Sequence, residues 1–285
     1  MTTTSTTEQK QKEQTSWTKV APGWAKWDEV LTRCAQPVST RMLELAAIGE
    51  GQQVLDIASG TGEPALAIGS RVGPKGSVLA TDFVEPMLAF AREKAKRKGV
   101  GNVVFQCVDG EALDVPASHF DAVTIRWGLM FMPDPLACLR RCLTSLKKGG
   151  RIAAACWAEP PRNPWASLPA GILRKKLELP APPPGAPGIF AFADPKRLTS
   201  VVEEAGFRDV QVVEQQVRWG PFESVAHAFT FISELAGPVA TMLGSVAPQG
   251  RSAVEDEIRT AYAGLKTDGP LELPGVTWVV SGVRA

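Results

Sequence analysis

The stretch VLDIASGTGEPALAIG, Val54 to Gly69, decides how this chain is read. A short apolar run, Val54 to Ile57, ends at turn residues, which predicts a buried strand. Gly60-x-Gly62-x-x-Ala65 then fits the glycine pattern of a nicotinamide-binding turn. Glycines there let the backbone approach a ligand closely, and the helix that follows offers free N–H groups. The turn also carries an acid, Asp56, where a dinucleotide would bring two phosphates. That is unfavourable for a dinucleotide and favourable for a ligand with an amino group or another cationic part. Asp56 can also orient the glycine loop by accepting its N–H groups.

Working outward, strand and helix alternate. Strands are expected at Ser77–Asp82, Asn102–Asp109, Phe120–Trp127 and Gly150–Trp157, with helices over Gly62–Val72, Val84–Lys98 and Pro135–Lys147. Pro64 falls in the first turn of its helix, where proline is tolerated. Such alternation predicts an α/β fold: a Rossmann-like, mostly parallel sheet with helices on both faces and its ligand at the strands' carboxyl ends. A helix is expected from Asp28 to Ala47, another over Pro195–Phe207, and further strands over Asp209–Trp219 and Val276–Arg284, for seven strands in all. The proline-rich segment 158–195 reads as a long irregular connection, and Gly220 to about Leu271 as an irregular-to-helical insertion. The polar residues 1–16 read as a disordered tail. Residues 17–285 then form one domain, with a helical cap drawn from 17–48, 158–195 and 220–271.

The bulk numbers agree with an ordinary globular chain. A formal net charge of +1 gives no electrostatic case for nucleic acid. The five cysteines, an odd number without a C-x-x-C pair, read as reduced thiols. Cys138 and Cys142 stand four residues apart on a helix, but only two histidines exist to complete a site, so no metal is expected. There is no secretory h-region and no apolar run of membrane-spanning length, so the expected location is cytoplasmic. Monomer and homodimer are equally open.

Two further acids end strands. Asp82 follows the glycines by about twenty residues, where a carboxylate can accept from a ribose diol or cap the next helix. Asp109, in CVDGEAL, can accept from an adenine amine or close a turn with Gly110. With VLDIASGTG, ATDFVEPML, CVDGEALDVP, FDAVTIRWGLMFMPDP and LKKGGRIA in order, the chain resembles class I S-adenosylmethionine-dependent methyltransferases, most of all the ubiquinone/menaquinone-type small-molecule group. The resemblance implies S-adenosylmethionine as cofactor, S-adenosylhomocysteine as product and an antiparallel closing strand. It places Asp56, Ala58, Ser59, Gly60 and Gly62 around the methionine portion. It places Asp82, Phe83 and Met87 around ribose and one adenine face, Asp109, Gly110 and Glu111 at the adenine edge, and the Arg126 backbone beneath the sulfonium. Ser59 stands where the family usually has glycine or cysteine, a small-for-small change.

Methyl transfer needs an electron-rich atom held in line and water excluded, with a base where the acceptor is a hydroxyl. No motif announces that base, so the catalytic residues stay unassigned. His227, in the second insertion, is the one weak candidate; His119 reads as a surface residue and Tyr262 as packing. Large apolar residues such as Trp24, Trp127, Met130, Phe131, Trp165 and Phe231 favour a small, largely apolar or aromatic acceptor, with O-methylation the leading expectation and C-methylation of a quinone-like or natural-product substrate the alternative. Two other readings remain: a nicotinamide-dependent oxidoreductase, which leaves Asp56 and Asp109 unexplained, and the same fold without methyl transfer.

Overall fold

The computed structural model describes residues 6–265 and 269–285. In chain order the elements are α1 (Thr6–Lys26), α2 (Asp28–Leu45), β1 (Gln53–Ile57), α3 (Ala65–Val72), β2 (Ser77–Asp82), α4 (Glu85–Lys98), β3 (Val103–Cys107) and β4 (Phe120–Arg126). There follow α5 (Pro135–Ser145), β5 (Leu146–Trp157), α6 (Pro164–Lys176), α7 (Pro195–Glu204), β6 (Arg208–Phe222), α8 (Val225–Leu235), α9 (Gly237–Ser245), α10 (Pro248–Ala263) and β7 (Leu271–Val283).

The sheet order is β3-β2-β1-β4-β5-β7-β6. β1 pairs in parallel with β2 on one side and β4 on the other, so chain order reverses at β1. A crevice at the carboxyl ends of β1 and β4 follows from that reversal. β1 is central, and Val54 to Ile57 are all buried, which is why it reads as a continuous apolar run rather than an alternation. β7 runs antiparallel to both β5 and β6, so it alone opposes the other strands.

Two expectations fail. The supposed tail is mostly helix: residues 6–16 are the first turns of α1, while residues 1–5 lie outside the described residues. Trp17, Val20, Ala21 and Trp24 recur at one-face helical spacing and pack with Val84 and Met87. The polar turns before them are fixed by Gln14, whose Nε2 donates to the Phe83 carbonyl at 2.7 Å. The connection after Trp157 is not wholly irregular either. Pro164 starts α6, and the buried Tyr262 donates its hydroxyl to the Trp165 carbonyl at 2.6 Å, tying α10 to α6. The remaining stretch to α7 carries no regular element.

Helices α1, α6, α8, α9 and α10 pack on one another. No helix among the described residues is long and apolar enough to cross a membrane. The closest approach between α1 and α8 is at Gly23, where a Cβ would stand 2.3 Å from the Glu234 carbonyl oxygen. Around it, Trp24 Nε1 donates to the Leu235 carbonyl at 3.0 Å and Lys26 pairs with Glu234 at 2.8 Å. Helix propensity alone would favour alanine at position 23 by about 1 kcal/mol. The backbone clash reverses that sign. Gly23→Ala is expected to destabilise the chain by about 1–3 kcal/mol in urea unfolding; a gain in stability would refute the contact.

Candidate functional site

One cleft lies at the carboxyl ends of β1, β2 and β4, under α1 and α8. Its floor is the loop after β1. Ala58, Gly60 and Gly62 all take positive φ (57°, 52° and 104°). For an alanine this costs about 1 kcal/mol, and the surroundings hold it there. Ser59 N–H donates to the Thr81 carbonyl at 2.9 Å, Gly60 N–H to Asp82 Oδ2 at 2.9 Å, and Gly62 N–H to the Ser59 carbonyl at 2.9 Å. The Ser59 hydroxyl returns to the Asp56 carbonyl at 3.1 Å, so the departure from the usual glycine or cysteine is absorbed locally. Glycine is required at 128, where a Cβ would sit 2.3 Å from that of Ala58.

These bonds bear on the cofactor. A pyrophosphate needs loop N–H groups free to donate. Here three of them are already committed, one to a carboxylate. The geometry disfavours a dinucleotide and suits a ligand without phosphates.

Asp82 is buried and serves two masters: Oδ2 takes Gly60 N–H and Oδ1 takes Val84 N–H at 2.9 Å. Burial pushes its carboxyl up to about 6, against the pull of those backbone donors. Asp56 is wholly buried behind the loop. Its Oδ1 accepts from the Thr124 hydroxyl, and Oδ2 has no partner among the described residues. Burial pushes it, too, up to about 6, with Thr124, Ser59 and Arg126 opposing.

Arg126 does more than lend its backbone. Its buried guanidinium donates to Ser39 Oγ at 2.9 Å and to the Glu63 carbonyl at 2.8 Å, and lies 5.1 Å from the Trp127 ring. Burial lowers its pKa while Glu63, Asp56 and Asp28 hold it up. Near it Lys94, 2% exposed, pairs with Asp28 at 2.8 Å and Glu63 at 3.2 Å. That network drags the Glu63 carboxyl below its ordinary range despite burial.

At the far side of the cleft, Asp109 Oδ1 accepts from Glu111 N–H at 2.9 Å, a turn cap, and Glu111 Oε1 accepts from Asp134 N–H at 2.8 Å. Lys10 from α1 bridges the two acids, 2.6 Å from Asp109 Oδ2 and in contact with Glu111 Oε2. Gly110 is pressed against Ile57, 2.9 Å from a would-be Cβ.

Of the residues expected at the site, Ala58, Ser59, Gly60, Asp82, Phe83, Met87, Asp109, Gly110, Glu111 and Arg126 line this one cleft. Asp56 and Gly62 stand behind it; a Cβ on Gly62 would come 3.2 Å from that of Ala91. His227 must be corrected. It lies on α8 against Trp27 and Phe222, with Nδ1 4.0 Å from Glu223, and does not line the cleft. His119 is exposed. Cys138 and Cys142 are buried together on α5, and the Cys138 thiol is raised by its bond to Cys142. Sequence reasoning missed Lys10 and Glu13, because the tail was thought unstructured. It missed Trp157 and Trp219 because each ends an ordinary apolar or mixed strand run. Together with Trp127, Trp165 and Phe231 they form an aromatic wall opposite the acids.

Comparison with known proteins places this geometry. Residues 8–164 match the family model described as the ubiE/COQ5 methyltransferase family. The ubiquinone/menaquinone biosynthesis C-methyltransferase UbiE of Yersinia enterocolitica is 34% identical over 178 residues, covering 59% of this chain and 71% of that protein. The protein of the same name from Ectopseudomonas mendocina is 41% identical over 119 residues, covering 41% of this chain; the chain spans only 46% of that relative. Among solved structures, phosphoethanolamine N-methyltransferase 2 of Haemonchus contortus, in complex with phosphomonomethylethanolamine and S-adenosylhomocysteine, shares the fold at TM-score 0.53 and 14% identity, covering 87% of this chain and 52% of that one.

The two raised carboxyls have a consequence for stability. Each binds its proton more tightly folded than unfolded, where its pKa is near 3.8. Stability therefore falls as pH rises from about 4 to about 6, by up to roughly 3 kcal/mol per group. Asp56→Asn removes one of them. The stability of the variant relative to the parent is expected to improve across that window, as read from urea midpoints at pH 4.5 and 7; parallel pH profiles would disprove the burial argument.

Proposed function

The chain belongs to the ubiE/COQ5 methyltransferase family and is an S-adenosylmethionine-dependent methyltransferase, and from that premise we propose that it methylates a ring carbon of a small, apolar, aromatic acceptor of the quinol class. The observation that carries this reading is the division of the cleft. One half is lined by acids and the glycine loop, the other by Trp127, Trp157, Trp165, Trp219 and Phe231.

The acidic half suits the cofactor. Asp82 keeps lone pairs free beside those given to Gly60 and Val84, so it can accept from a ribose diol. Phe83 and Met87 offer apolar contact for an adenine face, and Asp109 with Glu111 offers acceptors for its edge. Asp56, behind the loop, adds negative charge that attracts a cationic ligand and repels a phosphate. Lys10 must yield part of its hold on Asp109 when the adenine edge is engaged.

S-adenosylmethionine, when bound, supplies a methyl group already activated by positive charge. The protein's own share is positioning and exclusion of water. The aromatic wall presents flat faces on which a ring can stack. The wall residues Trp127, Trp157, Trp165, Trp219 and Phe231 themselves carry no group that takes a proton from a hydroxyl. Attack by an electron-rich ring carbon does not need that proton removed before the bond forms; the ring carbon releases its own proton to solvent afterwards, which restores the aromatic ring. This, with the C-methyltransferase names of the relatives, favours carbon over oxygen.

Isothermal titration is expected to give one S-adenosylmethionine site and no NAD binding. Asp82→Ala should weaken it at least tenfold, the loss of hydrogen bonds to a charged group worth about 1.5–3 kcal/mol. With 1,4-dihydroxynaphthalene and methyl-labelled cofactor, proton NMR should show a new ring-methyl signal. A methoxy signal would overturn carbon as the target, and NAD binding in place of the sulfonium would overturn the whole reading.

A further inference from the structure

The acceptor half of the cleft contains a buried hydrogen-bond donor with no acceptor among the described residues. Four indoles meet there: Trp127 following β4, Trp157 ending β5, Trp165 on α6 and Trp219 on β6. Trp127 and Trp157 stack at 4.5 Å with an interplanar angle of 16°. Trp219 closes the group, 5.7 Å from Trp127, 5.9 Å from Trp157, 6.0 Å from Trp165 and 5.7 Å from Phe231.

Their N–H groups are treated differently. Trp127 Nε1 donates to Thr277 Oγ1 at 3.1 Å, and that hydroxyl passes its own proton to the Cys156 carbonyl at 2.7 Å. Trp165 Nε1 donates to Asn163 Oδ1 at 3.1 Å. Both are held by the scaffold. Trp219 is 4% exposed and its Nε1 has no acceptor among the described residues. A buried donor without a partner costs about 1–3 kcal/mol. A phenylalanine would keep the ring contacts without that cost. An indole N–H in such a place has a use only when a ligand brings the acceptor.

We propose that Trp219 Nε1 donates to an oxygen substituent of the methyl acceptor. This rests on the reading of the cleft as a methyltransferase site and narrows its substrate: a planar ring that carries a carbonyl, hydroxyl or phenolate oxygen. The stacked indoles hold the ring's plane but leave it free to turn within that plane. A single directional bond from the buried indole stops that turning and so selects which ring carbon faces the cofactor. Trp219 is thus a substrate-binding residue that sets regiochemistry.

The probes are 1-naphthol and naphthalene, which share a ring system and differ by one oxygen, added to the full chain saturated with S-adenosylhomocysteine. In a nitrogen-15 correlation spectrum the Trp219 indole peak is identified by its loss in Trp219→Phe. It should move downfield with 1-naphthol and stay near its place with naphthalene. Trp219→Phe should weaken 1-naphthol about tenfold, leave naphthalene and S-adenosylhomocysteine binding unchanged, and melt no lower than the parent. An indole peak indifferent to the oxygen, an equal loss for both probes, or no 1-naphthol binding at all would overturn the proposal. Failure to bind S-adenosylhomocysteine would instead strike the methyltransferase reading beneath it.

Discussion

The hydrogen bond from Gly60 N–H to Asp82 is the constraint on which the site depends. It joins the loop after β1 to the end of β2 and fixes the loop at a backbone conformation that Ala58 resists. It also consumes a donor that a phosphate would require. A carboxylate buried to make this bond is held against its own desolvation, which is why its acidity is weakened. The loop is therefore shaped by an acid rather than for an anion, and the choice of cofactor follows from that.

Around this fixed point the cleft is assembled from parts with different chemistry. The sheet supplies acids at successive strand ends; the cap and the far strands supply indoles. Arg126 and the Lys94–Asp28–Glu63 network join α2 and α4 to the loop from behind, so that buried charges are paired rather than stranded. Breaking one member of such a network costs far more than its presence contributes. The donor half is thus rigid, while α1 closes over it through an ion bridge at Lys10 and a line of apolar contacts.

How much of this was legible in the sequence depended on whether a residue's role was local. Val54–Ile57 and the glycines after it announce a strand and a turn because their pattern is set by neighbours in the chain. Asp82 and Asp109 were legible because parallel strands bring their carboxyl ends to one place. α1 was not, since its first turns are polar and its helix is decided by contacts with Phe83 and Asp109, far along the chain. Trp219 was invisible for the same reason: RWGP reads as the end of a strand, and only pairing with β7 carries it to the wall beside Trp157. His227 looked inviting because a histidine on a cap helix can face inward; packing on Trp27 and Phe222 turned it away.

β7 is last in the chain yet lies between β5 and β6. The five strands that frame the donor half are complete once Trp157 has been made. β6 has no partner in the sheet until β7 arrives to sit between it and β5. During synthesis the two halves of the cleft are thus born at different times. The glycine-loop floor can form while the chain is still growing, whereas the aromatic wall waits for β7. Of the two linings of the cleft, the indole wall therefore depends on a pairing, β7 with β5 and β6, that the acidic floor does not need.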